Sequence, residues 1–112
     1  MMTDQLTGNG HRWGQRIAVD IPVRVAANDS PAIHGLLKNL SLSGALMDAD
    51  HELRLHAYIA VTINLPETDR GAMRIMARVA RKFKDGVGLE WCEFAPNAVK
   101  DLLRSPSIRL PF

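Results

Sequence analysis

The 112 residues predict a mainly β fold, a six-stranded antiparallel barrel with one C-terminal α-helix. Three observations lead there. Branched apolar residues alternate with polar ones in several separate runs, turn-forming clusters divide those runs, and helical spacing occurs only near the C-terminus. Short strands followed by a single helix pack as a small barrel with the helix laid against it.

In Ile17-Ala18-Val19-Asp20-Ile21-Pro22-Val23-Arg24-Val25, every odd position is branched and apolar, so a half-buried first strand is expected. Pro22 lacks an N–H and suggests an edge or a bulge. Asn28-Asp29-Ser30-Pro31 is a turn cluster, and a second strand should run from Ile33 through Leu40. In Asn39-Leu40-Ser41-Leu42-Ser43-Gly44 the alternation sends the leucines to one face. It sends Asn39 and Ser41 to the solvent face, as a hydrogen-bonding shelf. Gly44 ends the run with a residue that lets a backbone or a ligand come close. Ala45-Leu46-Met47 then begins a third strand, and Asp48 to His56 is a polar connection.

Ala57 to Leu65 alternates again as the fourth strand, and Pro66 to Gly71 closes it as a loop. The fifth strand carries Met73, Ile75, Ala77, Val79 and Phe83 on its core face, with Arg74, Arg78 and Lys82 on the other. Asp85-Gly86 is a hairpin signal, since both residues tolerate positive φ. Val87 to Trp91 returns as the sixth strand. Val99, Leu102 and Leu103 then stand at i, i+3 and i+4 of a helix that starts near Pro96 or Asn97 and stops at Ser105-Pro106. No repeat or low-complexity segment interrupts the order.

The length fits one domain over residues 11–104, with residues 1–10 as a flexible leader and 105–112 as a tail. The leader has neither a basic start nor an apolar stretch, so it is not read as a signal peptide. No apolar run is long enough to span a bilayer, which predicts no membrane insertion. The single Cys92 excludes an internal disulfide and fits a reducing, cytoplasmic setting. The formal charge is only +2, yet ten of the fourteen basic residues are arginine. Arginine's flat fork suits phosphate, a guanine edge or a stacked base.

Catalysis finds little support. His11, His34, His51 and His56 are scattered without metal-ligand spacing, and Cys92 beside Trp91 reads as a small buried thiol in a strand. No enzyme, metal or cofactor is expected. Binding is better supported. Arg12 and Arg16 precede the first strand around Gly14, where two cations suit a ligand with two phosphates. Asn39 offers one acceptor and two donors, enough to read a guanine edge, and Ser41 serves base or phosphate.

In sequence order, Arg12-x-x-x-Arg16, Asn39-x-Ser41-x-x-Gly44 and Gly86-Val87-Gly88-Leu89-Glu90 before a final helix resemble the PilZ domain family over residues 12–104. The resemblance implies a six-stranded barrel that binds the bacterial second messenger cyclic di-GMP on its outer surface. By motif matching, Arg12, Arg16, Asn39, Ser41 and Gly44 are the ligand site. The arginines fold over phosphates and guanine, Asn39 and Ser41 recognise a guanine, and Gly44 permits close approach. Two departures stand out. His11 occupies the place where many relatives carry a further arginine, which argues against a stacked pair of ligand molecules. Asn39 replaces the common aspartate and removes a charge-assisted bond to guanine. His11, Arg81 and Lys82 are possible flanking residues.

The resemblance therefore implies a receptor or adaptor that signals to a downstream protein partner, in processes such as motility, surface polysaccharide or biofilm formation. Two readings compete. One is a nucleotide-free interaction module in which Arg12 and Arg16 pair with a partner's acidic groups. The other, less favoured, is a barrel binding RNA or single-stranded DNA. Such barrels need exposed aromatic platforms, and only Tyr58 and Trp13 offer them if Trp91 and the phenylalanines fill core or helix-packing positions.

Overall fold

The computed structural model describes residues 16–27, 31–64 and 71–104. The expected leader and tail, His11, Arg12, Trp13, the turn residues 28–30, the loop residues 65–70 and the helix stop at 105–106 lie outside them.

Each alternating run forms its strand: β1 (Ile17–Ala27), β2 (Ile33–Leu40), β3 (Gly44–Ala49), β4 (Tyr58–Asn64), β5 (Ala72–Phe83) and β6 (Gly86–Trp91). They close into an antiparallel barrel in the order β1-β2-β3-β6-β5-β4. Closure leaves no edge, so Pro22 must be tolerated inside a paired strand. It lies one residue before the β1–β4 ladder begins at Val23, close to a register shift in β1.

The core follows from the two-residue period. Val19, Ile21, Val23 and Val25 of β1 all point inward, as do Val61 and Ile63 of β4, the last two fully buried. Each such side chain contributes about 1.5–3 kcal/mol through its removal from water. One helix, α1 (Asn97–Arg104), follows the barrel, and it buries Val99 and Leu102 in the same core. Its first intrahelical bond runs from Lys100 N to Pro96 O, 3.0 Å, and Arg104 in its last turn complements the carbonyl end.

Four expectations are corrected. The hairpin joining β5 and β6 turns on Lys84 and Asp85, with Gly86 already paired to Phe83. Gly86 does take the expected positive φ (158°), and glycine is needed there also because a Cβ would stand 2.5 Å from Met47 O. Cys92 is exposed beyond the end of β6, so it is no buried strand thiol. Phe83 and Phe94 are 51% and 64% exposed, so neither fills the core. Ser41 is fully buried and lies outside β2, which ends at Leu40.

Candidate functional site

The polar stretch at residues 39–44 divides into two parts. Ser41 does not share a shelf with Asn39, because the chain turns immediately after Leu40. Its Oγ accepts hydrogen bonds from Ser43 N (3.3 Å) and Gly44 N (3.2 Å) and donates to Gly44 O (3.2 Å). Its backbone carbonyl accepts from Trp91 Nε1 at 3.0 Å. Ser41 thus braces the backbone of the β2–β3 turn from within, its hydroxyl adding to the Ser41 N to Gly44 O bond of 2.9 Å. Gly44 has an equally local duty: a Cβ there would lie 1.9 Å from Leu89 O, so glycine is what allows β3 to pair with β6.

Asn39 does face outward. Its Oδ1 accepts from Leu46 N across the β2–β3 pair (3.1 Å) and from Arg16 Nη1 (2.8 Å). The exposed Arg16, at the foot of β1, is thereby drawn over the barrel wall. With both lone pairs of Oδ1 in use, the amide presents its Nδ2 donors to a ligand.

A single cross-strand row explains what Asn39 faces. Ala18 pairs with Asn39, Asn39 with Leu46, Leu46 with Gly88, and Gly88 with Arg81. Gly88 has no side chain, so the row sinks at that point. An open cleft of about 310 Å³ forms there, and Arg16, Asn39, Ser43, Arg81, Phe83 and Glu90 are among its lining residues. The cleft is small and lined by both polar and apolar residues. It offers two guanidiniums and an amide, the donor set that suits phosphate oxygens or a purine edge.

Of the sequence-derived candidates, the structure brings Arg16, Asn39 and Arg81 together. It places Ser41 and Gly44 beneath them as support. Lys82 departs, donating to Glu52 Oε2 at 2.6 Å on a neighbouring part of the surface. Glu90, the last residue of the Gly86–Glu90 stretch, also lines the cleft while its Oε1 accepts from Arg78 Nη2 at 2.9 Å. The carboxylate raises the Arg78 pKa above its ordinary value, chiefly through that hydrogen bond. Arg78 Nη1 also lies 2.9 Å from His56 Nδ1.

Phe83 at the rim was missed outright, because its odd position in β5 matches the core phase. Among the described residues no group of three His, Cys, Asp or Glu side chains is placed to hold a metal, and no helix is long and apolar enough to cross a membrane.

Comparison with known proteins agrees with this architecture. No curated protein matches the chain. A crystal structure of the PilZ domain of CeSA, from a cellulose synthesizing bacterium, superposes with a TM-score of 0.61 at 24% identity, covering 80% of this chain and 92% of that one. At that identity the likeness speaks for the fold. The PilZ domain family itself matches residues 11–105, nearly the whole chain, and with the closed barrel and its trailing helix this shows that the chain belongs to the PilZ domain family.

Proposed function

We propose that this chain is a cyclic di-GMP receptor or adaptor without catalysis of its own, acting in the cytoplasm. The observation that carries the reading is the Arg16–Asn39 pair at the mouth of the cleft, with Arg81 across from it. PilZ domains form a receptor family for this nucleotide, and the matched region includes both of the motifs expected to hold it. Arg16, joined by Arg12 from the preceding segment, grips the phosphates, and the Nδ2 donors of Asn39 meet acceptors on a guanine. Ser41 and Gly44 serve the site by shaping the turn that carries Asn39 and the strand pairing that floors the cleft.

Arg16 joins the segment before β1 to Asn39 and keeps further N–H donors for the phosphates, so ligand occupancy and the position of that segment are linked. That link is the proposed signal. Ordering of residues 8–17 over the ligand creates or hides a surface for a protein partner. Isothermal titration with cyclic di-GMP, with GTP and GMP as controls, tests the binding. The expected outcome is saturable binding of the cyclic dinucleotide alone. Hydrogen exchange tests the signal, with slower exchange in residues 8–17 on addition of ligand expected. Unchanged exchange there in a ligand-saturated protein sinks the ordering mechanism.

A further inference from the structure

The barrel's regular pairing is interrupted at three places among the described residues: between Ala18 and Ile21 in β1, between Leu37 and Asn39 in β2, and between Val79 and Arg81 in β5. All three border the cleft row. A bulge adds one residue to a strand and so exchanges its inner and outer faces beyond that point. In β2, Leu37 is fully buried, yet Asn39, two residues on, faces out. In β5, Ile75, Ala77 and Val79 are buried in strict alternation, yet Arg81 and Phe83, next in the same phase, are exposed.

The β5 bulge therefore turns a large aromatic ring out of the core and toward the cleft. Phe83 is half exposed and lies against the floor of the cleft: a Cβ at Gly88 would stand 3.3 Å from the ring's Cε2 and 3.5 Å from Arg81 Cβ. An exposed ring at this rim requires a reason, since the residues flanking it, Lys82 and Lys84, are charged. Nucleic-acid and nucleotide sites use such rings because every base has an apolar face to cover.

We propose that Phe83 is the base-stacking platform of the cleft. It takes one face of a purine of the bound nucleotide, while Arg81 beside it meets the base edge or a phosphate. This rests on the cyclic di-GMP reading and adds a contact made by neither motif. With no Cβ at Gly88, the ring itself packs down onto the floor and presents its other face to the base.

The test uses the full chain with cyclic di-GMP. Phe83→Leu keeps an apolar side chain at the rim and removes the aromatic face, and Phe83→Tyr restores it. Titration should show affinity falling about tenfold or more in Phe83→Leu and returning to near the original value in Phe83→Tyr. Ligand NMR supplies a readout that altered folding alone would not move: the guanine H8 resonance should shift upfield on binding to the original protein and lose that shift with Phe83→Leu. If the unsubstituted chain binds but Phe83→Leu binds equally well with the same H8 shift, the platform is overturned while the receptor reading stands. If the unsubstituted chain does not bind cyclic di-GMP at all, the receptor reading fails and takes the platform with it.

Discussion

Two stretches of the same barrel wall are built by opposite rules. Between β4 and β5 the ladder runs through seven successive pairs, from Tyr58↔Arg78 to Asn64↔Ala72, with no change of register. Around β2, β3, β6 and the far end of β5, the ladders carry bulges and a glycine at the cleft floor, with a buried serine bracing the adjoining turn. Regular pairing keeps apolar side chains inward at every second residue, so it favours burial along the whole ladder. Each irregularity gives up some of that burial to aim a polar or aromatic group outward. The uniform wall holds the barrel together, and the interrupted wall is where the proposed ligand would be read.

The largest effect that separates the two walls comes from the regular one. Ile63→Ala, at a fully buried position of β4, should cost about 2–5 kcal/mol in denaturant unfolding. The folded fraction should still bind ligand with unchanged affinity; a change in affinity would mean the two walls are coupled. Next comes Arg16→Ala in the interrupted wall, with the opposite signature. Affinity for cyclic di-GMP should fall by about 1.5–3 kcal/mol, roughly tenfold to a hundredfold by calorimetry, because a charge-assisted contact is lost. Stability should stay within about 0.5 kcal/mol, since the side chain is exposed.

Ser41→Ala then decides whether a motif residue acts directly or from below. Its hydroxyl is fully buried with three backbone partners, so the loss should appear first as about 1–3 kcal/mol of stability. A variant that kept full stability but bound weakly would return Ser41 to direct ligand contact.

The smallest effect concerns the ion pair on the neighbouring surface. Lys82 holds the Glu52 carboxyl below its ordinary pKa by hydrogen bonding, although Glu52 is largely exposed. A carboxylate whose folded pKa is depressed stabilises above its unfolded value, and that contribution disappears as pH falls through the folded one. Glu52→Gln should therefore be slightly less stable than the original protein at neutral pH. The two should converge in acid below the carboxylate range, and ligand affinity should not change. A change in affinity would place Lys82 at the ligand after all.

The uniform wall was the more legible of the two. Alternation alone located all six strands within a residue or two, because burial of every second side chain is the same physics in each of them. Arg16 and Asn39 were legible because their spacing matches a family pattern, and their hydrogen bond bears out that they meet. Ser41 was misplaced because alternation was carried across a turn. Serine's ability to hydrogen-bond its own backbone, the property that ended β2, competes with the strand pattern and leaves the same letters. Phe83 and Cys92 were misplaced for related reasons. A bulge has no signature in composition, and the end of a strand shifts with the hydrogen bonds available beyond it. Arg81 is expected as a flanking residue from its place at the end of the fifth strand; its place in the cleft follows from the bulge between Val79 and Arg81.

That one extra residue in β5 has a consequence for descent. Arg81 and Phe83 owe their outward aim to the chain's count, not to their own chemistry. Deleting a single amino acid near Ala80 would fold both side chains toward the interior while every motif letter stayed in place. Under the proposed reading, a three-nucleotide gap there removes both contacts from the cleft and leaves a protein whose motif residues are all still present.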